Sequence, residues 1–184
     1  MIPLLPSLQT CDKPVADSLT PPQGFRPVLC EVSSVRVSRV GFARSATNFT
    51  PAQRAGLRYE DRVQLHLHSL LGPDYTQSPW IRFTEHTEFG DDKRACVPDG
   101  LLIRSPNAFV FEIKIRHTTD AWFQLRKLYA PVVSQLPFIS RVICVEICSS
   151  FDPNVIIPED FSRIWGLEQF TRDPWSDFGV CVWK

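Results

Sequence analysis

Asp99, Glu112 and Lys114 are the residues whose types and spacing can do chemistry. Successive side chains on a strand point to opposite faces. In the stretch 108–117, Phe111, Ile113 and Ile115 therefore share one face, and Glu112, Lys114 and Arg116 the other. An apolar face toward a core and a charged face outward is ordinary for a half-exposed sheet. Asp99 adds something further. If the segment before Pro106-Asn107 folds back onto this strand, Asp99 and Glu112 meet near the far end of the hairpin. Adjacent carboxylates repel unless a cation neutralises them, and hard oxygen ligands suit Mg²⁺ or Mn²⁺. Such a metal polarises a phosphoryl oxygen and lowers the pKa of a bound water. A lysine one strand step from the ligand can orient that water or stabilise developing negative charge. The chemistry indicated is phosphodiester hydrolysis. Taken alone, Pro98-Asp99-Gly100 is equally a turn sequence, and Glu112 and Lys114 a solvated strand face.

The elements that must position these residues can be read in order. Partial alternation over 28–40 suggests a strand or hairpin. Thr50 as N-cap, Pro51 at the first helical position and Gln53 in a capping box open a helix. Tyr59, Val63, Leu67, Leu70 and Leu71 give it a core face, and Gly72-Pro73 ends it. Residues 80–85 alternate as a strand. A charged turn over 88–94 leads to an extended segment, 95–105, and then to the strand 108–117, together an antiparallel meander. Glu85, Glu88, Asp91 and Asp92 read as solvated. Thr118 or Thr119 caps a second helix with Trp122, Leu125, Tyr129, Val132, Val133 and Leu136 on its apolar face. Pro131 kinks it or ends it early. Residues 141–151 form a buried strand, 159–170 a short helix, and 178–183 a final apolar run.

Composition sets the class. The 184 residues suit one domain, organised as a Pro-rich arm over 1–27 and a single domain over 28–184 with its core at about 50–151. The formal net charge is zero, so no overall basicity announces nucleic acid. Between Glu31 and Glu60 no acid occurs, while Arg36, Arg39, Arg44, Arg54 and Arg58 do. That stretch is either a phosphate-contacting stripe or a solvated surface with acids nearby in space. Cys11, Cys30, Cys96, Cys144, Cys148 and Cys181 contain no C-x-x-C pair, which argues against a zinc knuckle. Cys144 and Cys148 read as reduced, buried thiols. With no secretory signal and no run of ~20 apolar residues, a soluble intracellular protein (cytoplasm or nucleus), not associated with a membrane, is expected. Trp80, Trp122, Trp165, Trp175 and Trp183 are capable of stacking on bases, although packing is the commoner use. His66 and His68, two apart on a helix, share no face. His117 takes no assigned role.

Val97-Pro98-Asp99-Gly100 followed by Phe111-Glu112-Ile113-Lys114 resembles the motif of the PD-(D/E)xK nuclease superfamily, whose fold is restriction-endonuclease-like. The resemblance spans roughly residues 50–151. It rests on the order helix with glutamate, strand, PD strand, ExK strand, helix, strand. The segment 55–63 resembles the family's first helix and puts Glu60 in the role of an additional acid at the metal. In the RecB-type and lambda-exonuclease-like branches, the helix after the lysine strand carries a glutamine and, four residues on, a tyrosine. Gln124 matches the glutamine. Position 128 is leucine, and Tyr129 comes one residue late. On an α-helix that residue is a rotation of about 100°, which would direct Tyr129 into the core beside Trp122.

The resemblance implies an α/β fold with a central mixed sheet of about four or five strands flanked by helices. It implies a Mg²⁺- or Mn²⁺-dependent deoxyribonuclease, with exonuclease favoured over endonuclease. Asp99, Glu112 and the Ile113 carbonyl would bind the metal, with Glu60 directly or through water. Lys114 would orient the attacking water, and Arg116, Gln124, Arg126 and Lys127 would contact the nucleic-acid backbone. The alternative readings are a nucleic-acid-binding or assembly module with weak or no catalysis, a dimeric junction resolvase, and a structural protein carrying the motif by accident. A protein partner or a homo-oligomer is compatible with all of them.

Overall fold

The computed structural model describes residues 19–41 and 49–184, the side chains of residues 39–41 excepted. The greater part of the expected arm, Cys11, and the Arg39 and Arg44 side chains lie outside the described residues.

Helix α1 (Pro51–Leu71) starts as the sequence predicts. The Thr50 hydroxyl accepts the Gln53 N–H at 3.2 Å, and the Gln53 side chain accepts the Thr50 N–H at 2.8 Å. These two bonds satisfy backbone groups that have no partner within the helix. Tyr59, Val63, Leu67 and Leu71 are buried, joined by the polar Gln64. Gly72 ends the helix at φ +72°, where a side chain would be strained.

Among the described residues, nine strands form two sheets. β1 (Glu31–Gly41), β3 (Pro79–Thr87) and β4 (Gly90–Cys96) make a three-stranded antiparallel sheet in the order β1-β3-β4. The second sheet has six strands, adding β2 (Tyr75–Gln77), β5 (Gly100–Arg104), β6 (Asn107–Arg116), β7 (Arg141–Ser150), β8 (Ser162–Ile164) and β9 (Phe178–Val182) in the order β2-β5-β6-β7-β9-β8. β2, β5 and β6 pair antiparallel, whereas β6, β7, β9 and β8 run parallel. The protein is α/β, with a mixed central sheet flanked by helices.

Several expectations are corrected. The central sheet has six strands rather than four or five, because 162–164 and 178–182 add at one edge and 75–77 at the other. The supposed single extended segment at 95–105 breaks at residues 97–99. Its first part ends β4 and its second begins β5, so the meander is divided between two sheets. The charged stretch 88–94 is mostly β4, and its turn is confined to Glu88 and Phe89. Within 159–170, residues 162–164 are strand and helix α4 (Leu167–Arg172) begins only after Gly166. The short Ser-Arg-Ile run gains more from the free edge of β9 than from an isolated helical turn, whose nucleation is unfavourable.

β6 is buried on both faces from Ala108 to Ile113 rather than on one, because helices cover both sides of the sheet. Leu101, Val110, Trp122, Tyr129, Cys144 and Val180 belong to the core on one face. Tyr59, Leu67, Phe109, Phe111, Ile143 and Phe170 belong to the core on the other. Each fully buried Phe contributes about 1.5–3 kcal/mol of transfer free energy.

The second helical segment comprises α2 (Thr119–Gln124), a π turn (Leu125–Tyr129) and α3 (Ala130–Val133). Thr118 caps it by accepting the Asp120 N–H at 3.0 Å. Pro131 has no N–H to give the Lys127 carbonyl, and that carbonyl instead accepts the Val28 N–H at 2.8 Å. The helix is therefore irregular just before the proline and continues through it. Glu85 is buried rather than solvated (3% exposed). It accepts the N–H groups of Leu29 at 2.8 Å and Cys30 at 3.2 Å and pairs with Arg94. No helix is long and apolar enough to cross a membrane among the described residues.

Candidate active site

The β5–β6 ladder ends at Gly100 opposite Phe111. One residue further, Asp99 lies opposite Glu112, and paired residues point to the same face. Beyond this point β6 has no strand partner on that flank among the described residues. The Ile113 N–H donates to Asp99 Oδ2 at 2.7 Å instead. N–H and C=O of one strand residue point to the same flank, so the Ile113 carbonyl is also directed toward Asp99.

Asp99 is held from behind. Its backbone carbonyl accepts the Ser78 N–H at 2.9 Å and the Gln64 side-chain amide at 2.7 Å. The Tyr75 hydroxyl in turn donates to Gln64. Gly100 is required here, because a Cβ on it would lie 2.4 Å from the Tyr75 oxygen. The Pro-Asp-Gly run thus serves both as a corner between the two sheets and as the mount for a carboxylate. Gln64 and Tyr75 were not legible as site-supporting residues, since both fall at ordinary core positions.

Asp99 and Glu112 are 6% and 3% exposed. Lys114 Nζ lies 2.6 Å from Glu112 Oε1. Burial acts against the Lys114 ammonium, but Glu112, with Asp99 and Asp120 further off, outweighs it and holds the pKa above the ordinary lysine value. The donor set of carboxylates and a backbone carbonyl fits Mg²⁺ or Mn²⁺. Among the described residues, no group of three or more His, Cys, Asp and Glu side chains is gathered for a metal ion.

The other expected residues are placed as follows. Glu60 is half-buried and lines a cleft of about 260 Å³ between α1 and β6, with Ile113 and Lys114 on its opposite wall. Gln124 is half-buried and within hydrogen-bonding reach of the Tyr129 hydroxyl. Tyr129 is in the core cluster with Trp122, but the rotation expected for a regular helix does not occur. In the π turn the Ala130 N–H donates to the Leu125 carbonyl, an i→i+5 bond. Residues five apart, rather than four, are brought into line. The late tyrosine is thereby returned to the side of Gln124. Its hydroxyl donates to the Val97 carbonyl at 3.4 Å, beside the Pro98-Asp99 corner. Burial, then the charges of Glu112 and Asp99, push the Tyr129 pKa well above the ordinary tyrosine range.

Arg116 is exposed at the end of β6. Lys127 is exposed, with Nζ 5.4 Å from the centre of the Trp122 ring. Arg126 is engaged by Glu159, which accepts from its Nε at 2.6 Å and from its Nη2, and also from Trp122 Nε1 at 2.7 Å. The Arg126 charge is therefore paired within the protein.

Glu146 was missed from the sequence. On β7 it is in register with Glu112 on β6, fully buried. Its Oε2 is 2.7 Å from His117 Nδ1, and its Oε1 accepts the Thr118 N–H at 3.1 Å. The signal available was a single glutamate at the centre of the apolar run 141–151. His117 is 3% exposed and stacks on Phe151, with ring centroids 4.9 Å apart at 16°. The chain matches no family model, no curated protein and no solved structure.

Proposed function

We propose that the protein is a metal-dependent nuclease of the PD-(D/E)xK type, acting on DNA, with exonuclease favoured over endonuclease. The observation that carries the reading is the placement of Asp99 opposite Glu112 at the end of a strand pair, with Lys114 2.6 Å from Glu112 Oε1. Glu60 across a cleft from Lys114, and Gln124 aligned with Tyr129 by the π turn, add support.

Asp99, Glu112 and the Ile113 carbonyl would hold Mg²⁺ or Mn²⁺, with Glu60 in reach through water. When bound, the ion supplies Lewis acidity toward the phosphoryl oxygen and acidifies a water. Lys114 keeps its proton, orients the attacking water and stabilises charge developing on the phosphoryl oxygens. Tyr129, protonated, is a hydrogen-bond donor at the wall of the site. Gln64 and Tyr75 fix the Asp99 backbone so that its carboxylate does not drift. Arg116 and Lys127 remain available for phosphate contact. A nucleic-acid-binding or assembly module is the second reading, favoured by the Lys114–Glu112 ion pair closing part of the donor set.

The test is cleavage of linear and circular, single- and double-stranded DNA with Mg²⁺, Mn²⁺ or EDTA. Metal-dependent cutting that Lys114→Ala lowers by about 10²–10³ would support the nuclease. Digestion of linear but not circular DNA would make it an exonuclease. A folded, metal-supplied protein that cuts no substrate would leave the binding module.

A further inference from the structure

The four parallel strands β6, β7, β9 and β8 end on one edge of the sheet. In open α/β sheets, ligands bind outside the carboxyl ends of such strands. Two rows cross this edge. Glu112, Glu146, Val180 and Arg163 are in register across the four strands. Lys114, Cys148 and Val182 form the next row, and Trp165, one residue after Ile164, continues it. Paired residues share a face. Arg163 and Trp165 on β8 and just after it therefore stand on the face of Glu112 and Lys114. Three interstrand spacings of ~4.8 Å put the two pairs about 14 Å apart.

Contacts bridge this interval. His117, held by Glu146, stacks on Phe151. The Arg163 guanidinium lies 4.0 Å from the centre of the Phe151 ring and 5.8 Å from that of Trp165. Trp165 is 76% exposed, so a broad aromatic face is open to solvent. Trp175 differs, because its ring meets Phe170 edge-on at 4.8 Å and belongs to local packing. On the opposite face of the same edge, Trp183 carries the Arg62 guanidinium at 5.2 Å and the stacked His66 ring at 5.2 Å.

We infer that Arg163 and Trp165 form a binding ridge for single-stranded nucleic acid leading away from the Asp99–Glu112–Lys114 site. This deepens the nuclease reading and rests on it for the direction of the strand. A solvent-facing indole with a guanidinium beside it offers a stacking surface for a base and a contact for the adjoining phosphate. A base reaches such a surface only when it is unpaired. At 3.4 Å per stacked nucleotide, the 14 Å interval spans about four nucleotides, and fewer in an extended strand. The ridge therefore selects a single-stranded end or overhang over a blunt duplex.

The experiment measures fluorescence anisotropy of a labelled oligodeoxythymidylate and of a blunt duplex, in EDTA, with the wild type and with Trp165→Ala, Trp165→Phe and Arg163→Ala. In parallel, hydrolysis of bis(p-nitrophenyl) phosphate with Mn²⁺ reports on the catalytic site without using the ridge. Circular dichroism confirms folding of each variant, which the exposure of Trp165 favours. The expected result is about tenfold weaker single-strand binding for Trp165→Ala, the size of one lost stacked base. Trp165→Phe should recover most of it, Arg163→Ala should weaken binding similarly, and duplex binding should change little. Phosphodiester hydrolysis by Trp165→Ala should equal that of the wild type. Wild-type affinity in Trp165→Ala, or an equal loss on the duplex, overturns the ridge even if hydrolysis is present. Absent hydrolysis with selective loss of single-strand binding overturns the catalytic reading and upholds the ridge.

Discussion

Glu112 and Glu146 occupy matching positions on neighbouring parallel strands, and their charges are handled by different partners. Lys114 meets the first, whereas His117 and the Thr118 N–H meet the second. Two glutamates side by side in a core would repel. Here the division of partners separates a carboxylate paired with a lysine two residues along its own strand from one held by the residues that follow that strand.

His117→Ala should therefore be strongly destabilising. Removing one partner of a buried pair costs about 3–5 kcal/mol, and the His117–Glu146 pair is fully enclosed. The double change His117→Phe with Glu146→Leu should recover much of the loss. Urea unfolding of the single and double variants decides this. Equal losses in both would mean that packing, not the unpaired carboxylate, sets the cost.

Burial raises the Glu146 pKa above the ordinary carboxylate value of 4.5, opposed by His117 and Thr118. A raised folded-state pKa means that the fold favours the protonated form. Its stabilising effect is complete below the unfolded pKa and is lost as pH rises through the folded one. The difference in unfolding free energy between wild type and Glu146→Gln should thus shift against the wild type as pH climbs from about 4.5. A flat difference across that window would contradict it.

Glu85 has the opposite sign. Burial opposes its charge, but the Leu29 and Cys30 N–H groups and Arg94 outweigh burial and hold its pKa below 4.5. Its stabilisation is present above the unfolded pKa and is lost as pH falls through the folded one. Arg94 also donates to the carbonyls of Pro27 at 3.0 Å and Arg26 at 2.6 Å, so the pair clasps the segment before β1 to the three-stranded sheet. Glu85→Ala should cost about 3 kcal/mol and speed amide exchange at Leu29 and Cys30. Unchanged exchange there would show that the clasp does not hold the segment.

Metal binding should read out without catalysis. A ligand that binds only the folded state stabilises it by about 2.7 kcal/mol at one hundred times its dissociation constant. Mg²⁺ or Mn²⁺ should raise the melting temperature of the wild type, and Asp99→Asn or Glu112→Gln should abolish the rise. A rise that survives both substitutions would place the ion elsewhere.

Thiol reactivity should divide sharply. Burial pushes Cys96, Cys144 and Cys148 up to about 12 and Cys181 up to about 11, whereas Cys30 is exposed. Among the described cysteines, Cys30 should be alkylated first in the native protein, and the others only on unfolding. Mass spectrometry of iodoacetamide-treated protein locates the label.

Much of this was legible because it depends on local rules. The capping box at Thr50 and Gln53, the helix face through Val63 and Leu67, and the strand around Glu112 follow from periodicity and hydrogen-bond bookkeeping. The assignment of strands to sheets did not follow. β4 and β5 are separated by only Val97, Pro98 and Asp99, and a three-residue break looks like continued extension in sequence. Burial of Glu85 and Glu146 was hidden because it depends on partners far along the chain, Arg94 with Leu29 and His117 respectively. The alignment of Gln124 with Tyr129 failed for a further reason. A spacing rule assumes a helix type, and the π turn changes it.

The bond from the Val28 N–H to the Lys127 carbonyl bears on where this protein can be cut. Pro131 has no N–H to give that carbonyl, and a segment that precedes both sheets supplies one. A shortened version beginning at α1 would keep Glu60, Asp99, Glu112 and Lys114. It would also remove a strand from the smaller sheet and bare a polar group in the helix that carries Gln124 and Tyr129. The Asp99–Glu112–Lys114 motif and the shortest chain that keeps this bond therefore do not share a boundary, and expression should start upstream of Val28, not at Thr50.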